Sequence, residues 1–132
     1  MKIHRKFCGL FLIALSLCLS GCIEKAARDA AAAAQGFIVQ AQANHNAECT
    51  ANPALDFPCQ TINRAIAAQN LLIDSLETYC GWPTRPTADQ LKNFTAPCNG
   101  SAGAKATLTI AISNLKDILP DLQRAAGKAV TP

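Results

Sequence analysis

Apolar side chains recur at steps of three and four residues in three long stretches of the chain, which is the spacing of one face of an α-helix. The first face consists mostly of alanine: Ile23, Ala27, Ala30, Ala34, Phe37, Ala41 and His45. The second is broader and bulkier: Ile62, Ala65, Ile66, Leu72, Ile73, Leu76, Tyr79 and Cys80. The third is rich in leucine and isoleucine: Leu108, Ala111, Ile112, Leu115, Ile118, Leu119 and Leu122. No stretch alternates at the two-residue period of a strand, so the pattern predicts an all-α fold.

The second helix has the clearest boundaries in the sequence. Asp56 is a predicted N-cap, with Pro58 in the first turn that follows it. At the other end, Gly81 is able to take the left-handed conformation that commonly ends a helix, and Pro83 prevents its continuation. These signals predict one helix over residues 59–80.

The later part of the chain predicts one short and one long helix. Thr87 and Gln90 fit a capping box, which predicts a short helix that reaches about Phe94. The last helix contains Pro120, whose ring and missing N–H predict either a kink or a second short helix beginning there. We therefore expect a small antiparallel three-helix bundle with a short extra helix in its second connection. Residues 128–132 are predicted to be a frayed end.

The residues before the first amphipathic face have the layout of an export signal. Three basic residues are followed by an apolar run over residues 7–19 and then by the small residues Ser20 and Gly21. An apolar run of about 13 residues is shorter than the roughly 20 that a membrane-spanning helix needs. We therefore expect residues 1–21 to be a cleaved signal peptide rather than a transmembrane anchor.

The end of this leader, Leu19-Ser20-Gly21-Cys22, resembles the lipobox of bacterial lipoproteins. The resemblance covers only residues 1–22. It implies that the Cys22 thiol receives a diacylglyceryl group and that cleavage follows Gly21. Two or three acyl chains give the stable membrane attachment that one chain does not. Residues 22–127 are then expected to form a lipid-anchored helical domain.

The residue after the cysteine bears on location. In enterobacterial lipoproteins, an Asp at this place favours retention in the inner membrane, whereas this chain has Ile23. The resemblance therefore implies a lipid-anchored protein of the bacterial cell envelope. The periplasmic face of the outer membrane is favoured over the inner membrane.

Removal of the leader changes the charge balance. The full chain of 132 residues has a formal net charge of +3, with 12 basic and 9 acidic residues. Three of the basic residues lie in the leader, so the remaining chain is neutral overall. A neutral domain lacks the basic surface that nucleic-acid binding requires, and we expect no nucleic-acid partner.

Four of the seven cysteines remain after Cys22, at intervals of 10, 21 and 18 residues. An even number in a small exported domain predicts two disulfides. Zinc sites usually contain closely spaced cysteine pairs, which are missing here. A helix over residues 59–80 separates its ends by roughly 30 Å, too far for Cys59 to pair with Cys80. The antiparallel bundle then favours Cys49–Cys59 and Cys80–Cys98, one bond at each end.

Residues with catalytic or metal-binding chemistry are sparse after the leader. His45 is the one histidine there and is interpreted as an ordinary helix-end residue. The serines lie in no G-x-S-x-G motif, and no carboxylate pair has metal-binding spacing. We therefore expect no enzyme, no metal and no cofactor.

Two aromatic residues lie at the end of the second helix, Tyr79 in its apolar face and Trp82 just after it. They either close one end of the core or contribute to a partner surface, where exposed Trp and Tyr are favoured anchors. The leading hypothesis is a non-enzymatic envelope lipoprotein that binds another envelope protein or a cell-wall component. The alternatives are a helical bundle that holds a lipid or other apolar ligand, and an inhibitor or immunity-type lipoprotein.

Overall fold

The computed structural model describes the backbone of residues 4–93 and 98–127, and the side chains of 23–93 and 98–127. It contains four α-helices: α1 (His4–Ala51), α2 (Thr61–Cys80), α3 (Ala88–Asn93) and α4 (Ala102–Ala125). No strand occurs among the described residues, so the predicted all-α class is confirmed. Phe94 and residues 128–132, for which a helix end and a frayed end were predicted, lie outside the described residues.

The three long helices form the predicted antiparallel bundle. α2 packs most extensively against α4, and α1 packs against both. The alanine face of α1 is buried and contributes little volume, so its backbone lies close to the other two helices. The large side chains of the centre come from α2 and α4: Leu72, Leu76, Leu108, Leu115 and Leu122. The core thus combines one helix with small buried side chains, α1, and two helices with large ones, α2 and α4.

Two helix ends predicted from the sequence are confirmed, the C-terminal end of α2 and the N-terminal end of α3. Gly81 has a φ of 66°, and the N–H of Trp82 donates to the carbonyl of Glu77 at 3.1 Å. These are the features of a Schellman motif. The Thr87 N–H donates to Gln90 Oε1 at 2.8 Å, and the Gln90 N–H donates to Thr87 Oγ1 at 3.2 Å. The capping box is therefore formed.

The predicted N-cap at Asp56 is wrong. α2 begins at Thr61, and Asp56–Gln60 form a separate π-helical turn that contains a cis Phe57–Pro58 peptide bond. Phe57 has extended backbone angles because the proline that follows it disfavours helical angles at this position. Leu55 is the N-cap of this turn, and Asp56 contributes its carbonyl, which accepts a hydrogen bond from Thr61 Oγ1 at 3.4 Å.

Pro120 lies within a single helix. α4 continues through it to Ala125, and Pro120 is exposed. Of the two predicted outcomes, a second helix beginning at Pro120 is therefore wrong. α4 also has an N-cap that the sequence interpretation missed, because the Ser101 hydroxyl accepts a hydrogen bond from the Ala104 N–H at 3.1 Å.

Both predicted disulfides are present, one at each end of the bundle. The α-carbons of Cys49 and Cys59 are 5.4 Å apart, and those of Cys80 and Cys98 are 4.7 Å apart. Within the described residues, no helix has an apolar stretch long enough to cross a membrane.

Candidate functional site

The two ends of the bundle have different chemistry. The Cys22 end comprises the start of the amphipathic part of α1, the end of α2, and the Cys80–Cys98 disulfide. The distal end comprises Ala51, Thr61, Ala125 and the Cys49–Cys59 disulfide. The connection at the distal end is short, whereas the one at the Cys22 end spans residues 81–101 and carries α3. This longer connection forms the main candidate site.

Polar contacts hold the start of the longer connection against α2. The Arg85 guanidinium donates to the Asp74 carboxylate, and also to Asn70 Oδ1 at 2.8 Å. The Cys80–Cys98 disulfide closes the connection into a loop. α3 itself has no buried residue and packs against the bundle far less than the long helices do. Its position therefore depends more on the loop than on core packing, to which α3 contributes only the half-buried Leu91.

A groove of about 630 Å³ lies between α1, α2 and α3, and we call it the α3 groove. Its volume is within the roughly 300–1,000 Å³ typical of ligand pockets. The walls are mainly apolar: Ala31, Ala32, Ile73, Pro86, Ala88 and Leu91. The surface can therefore take an apolar group without leaving polar atoms unpaired.

Two glutamines supply the polar part of the groove. Gln69 is buried on α2, and its Nε2 donates to the carbonyl of Ala31 at 3.2 Å and to Gln35 Oε1 at 2.9 Å. These bonds tie α2 to α1 along the floor of the groove. The groove is thus bounded by α1 and α2, which these hydrogen bonds join, and it is covered by the weakly packed α3.

Charged residues lie along the rim. Lys25 Nζ bonds to Asp29 Oδ2 at 2.6 Å, and Arg28 Nε is 3.9 Å from Asp29 Oδ1. The hydrogen bond from Lys25 lowers the pKa of Asp29 more than desolvation raises it. Lys92 lies across the groove, in the last turn of α3. The lining itself thus contains two basic residues, Arg28 and Lys92, and one acidic residue, Asp29, which Lys25 contacts from outside the lining.

The two predicted partner contacts differ in exposure. Tyr79 is only 4% exposed and packs in the core, as expected if it closes one end of the core. Trp82 is half-buried, packs against the core, and lines a second hollow of about 390 Å³ with Pro83, Thr84 and Gln90. Of the pair, Trp82 is therefore the one with an accessible surface, next to the connection that carries α3.

His45 does more than end a helix. Its Nε2 donates to the carbonyl of Ala125 at 2.9 Å, and its Nδ1 lies 3.0 Å from Glu48 Oε2. It thereby joins the ends of α1 and α4. A hollow of about 310 Å³ beside it is lined by amides, including Gln42, Asn46 and Asn63. Among the described residues, no cluster of His, Cys, Asp and Glu could hold a metal ion.

The sequence interpretation missed the buried carboxylate of Glu24. This residue is 4% exposed, and its Oε1 accepts a hydrogen bond from the Cys98 N–H. The bond fixes the end of the α3 connection to the start of α1. A signal existed, because Glu24 precedes the buried Ala27 and Ala31 by three and seven residues and so shares their face of the helix.

No known protein family, curated protein or solved structure matches this chain.

Proposed function

We propose that this chain is a non-enzymatic lipoprotein of the bacterial cell envelope, held in the membrane through acylated Cys22. Its helical bundle is a binding module for another envelope component. The observation that carries the proposal is Leu19-Ser20-Gly21-Cys22 behind a basic and apolar leader. The periplasmic face of the outer membrane is the favoured location, since Ile23 rather than Asp follows the cysteine.

The arrangement of α1 supports a module that lies close to its membrane. α1 is helical through Cys22 and continues into the bundle. Only two residues after Cys22, Glu24 is already buried against the backbone of Cys98. No flexible linker therefore separates the anchored Cys22 from the helical bundle. The Cys22 end then faces the membrane surface, and the distal end points away from it.

The anchor is tested by comparing Cys22 with Cys18, a cysteine inside the predicted signal peptide. Cys22→Ala is expected to release the protein from the membrane fraction, because no acyl chain can be added. Cys18→Ala, four residues earlier, serves as the matched control and is expected to leave membrane attachment unchanged. Mass spectrometry of the mature protein should show an acylated Cys22 at its amino terminus.

Fractionation of the two membranes tests the location. The wild-type protein is expected to sediment with outer-membrane markers, and Ile23→Asp is expected to shift it toward the inner membrane in an enterobacterial host. An unmodified Cys22 in a protein outside the membrane fraction would contradict the whole proposal. Inner-membrane sedimentation of the acylated wild type would contradict only the location.

A further inference from the structure

We propose that the α3 groove binds a single-chain anionic amphiphile, a fatty acid. Its acyl chain lies against the apolar walls, and its carboxylate lies at the basic rim. The inference rests on the proposed function, because acylated Cys22 places the groove where free fatty acids are concentrated.

The walls select the apolar part of the ligand. Ile73 and Leu91 are half-buried on opposite sides of the groove, and Ala31 forms part of its buried floor. Covering such surface with an acyl chain removes apolar area from water, which is the main source of affinity for this class of ligand. A volume of about 630 Å³ suits one drug-sized ligand. This space suits one acyl chain with a small head group.

The rim selects the charge of the head group. Lys25 pairs with Asp29 at 2.6 Å, so the acidic residue of the rim is already matched. Arg28 also pairs with Asp29, at 3.9 Å, and Lys92 adds a positive charge on α3 across the groove. No carboxylate among the described residues pairs with Lys92. A ligand carboxylate between these basic groups is charge-complementary, and hydrogen bonds of this charged type are the strong ones.

The position and packing of α3 provide access. Arg28 is six residues beyond Cys22 on the same helix, which places the rim roughly 9 Å along the helix from the anchor. This is the depth of a lipid head-group layer rather than of open solvent. α3 contributes no fully buried residue, and only the half-buried Leu91 packs against the core, so α3 can move away at a lower cost than a long helix can. A chain can therefore enter from the membrane side beneath α3.

The test uses a photoreactive, alkyne-tagged fatty acid added to envelope vesicles that contain the full-length protein. After irradiation, the labelled peptides are mapped by mass spectrometry. Labels are expected on residues 28–35, 69–73 and 86–92. Ala32→Phe fills the groove from an exposed position and is expected to reduce labelling about tenfold, whereas Ala33→Phe, exposed but outside the groove, should leave it unchanged. Thermal unfolding of both variants checks that each remains folded.

Head-group charge is tested separately. Lys92→Gln is expected to reduce fatty-acid labelling about threefold, since an exposed charge pair contributes modestly. Lys116→Gln on α4 is the control and should have no effect. A photoreactive fatty alcohol should label the groove more weakly than the acid. Equal labelling by the alcohol, or preferred labelling by photoreactive phosphatidylcholine, would overturn the proposal.

The two proposals fail in different ways. Acylation of Cys22 is measured by mass spectrometry on the same samples. An acylated protein whose groove labels no more in the wild type than in Ala32→Phe would overturn the fatty-acid site and leave the anchor standing. Specific groove labelling on a protein with unmodified Cys22 would support the site and contradict the anchor.

Discussion

The Cys22 end and the distal end of this bundle are closed by the same chemistry, one disulfide each, yet they differ in what they can do. At the distal end, the short connection leaves an amide-lined hollow beside His45. At the Cys22 end, the longer connection buries Glu24, carries α3 and forms an apolar groove with a basic rim. The helices therefore supply the fold at both ends, whereas the length of the connection determines where a ligand surface can form.

Removing each disulfide should produce the largest effects. The Cys80→Ala/Cys98→Ala and Cys49→Ala/Cys59→Ala variants are each expected to lose about 3 kcal/mol of unfolding free energy, because the unfolded chain gains freedom. Denaturant titration measures this loss. Only the first variant should also increase hydrogen exchange in α3, since that bond closes the loop that carries it. Equal exchange of α3 in both variants would show that its position does not depend on the disulfide.

Glycine substitutions compare crowding at the two ends. A methyl group at Gly100 would overlap the Tyr79 ring and carbonyl, lying 2.7 Å from Cε2, so Gly100→Ala is expected to cost up to about 3 kcal/mol. At Gly127 the nearest atom is Asn44 Nδ2 at 3.6 Å, and only the positive φ of 70° opposes a side chain. Gly127→Ala is therefore expected to cost about 1 kcal/mol. Thermal unfolding would contradict this ranking if the two losses were equal.

Two glutamates test the difference in burial. Glu24→Ala leaves the buried Cys98 N–H without its acceptor and is expected to cost about 2 kcal/mol. Glu48→Ala at the distal end removes a half-exposed pair with His45 and should cost less than about 1 kcal/mol. Glu24→Gln keeps an acceptor oxygen and should recover part of the loss. If Gln were no better than Ala, the hydrogen bond to Cys98 would not be the cause.

Much of this fold could be predicted because its signals are local. The faces of α1, α2 and α4, the Schellman motif at Gly81 and the capping box at Thr87 each depend on residues a few positions apart. The disulfide pairing followed from the length of α2, which excluded Cys59–Cys80, and from the antiparallel order of the helices, which excluded Cys49–Cys80. The turn before α2 was not predicted, because the restriction that Pro58 places on Phe57 overrode the capping preference of Asp56.

The candidate site could not be predicted in the same way. Pro86 and Leu91 belong to no periodic apolar pattern in the sequence. They line the groove because the Arg85 contacts and the disulfide hold the connection across α1 and α2. Tyr79 was a candidate contact from its place at a helix end, yet Gly100 packs against it and buries it. Phe57 shows the opposite outcome, since it is 48% exposed and lies beneath Arg124 at 5.7 Å. Such long-range packing leaves no periodic signal.

The smallest expected effect concerns the charge of the rim. The hydrogen bond from Lys25 lowers the pKa of Asp29, so this pair contributes stability above the unfolded pKa of Asp and loses it as the pH falls through the lower folded pKa. Lys25→Gln should raise the pKa of Asp29 in an NMR pH titration. Lys92→Gln should leave it unchanged, because the pKa shift of Asp29 arises from Lys25 and Arg28 on its own helix. If Lys92→Gln did raise that pKa, Lys92 would already be engaged with Asp29, and the rim would lack the unmatched positive charge that an anionic head group needs.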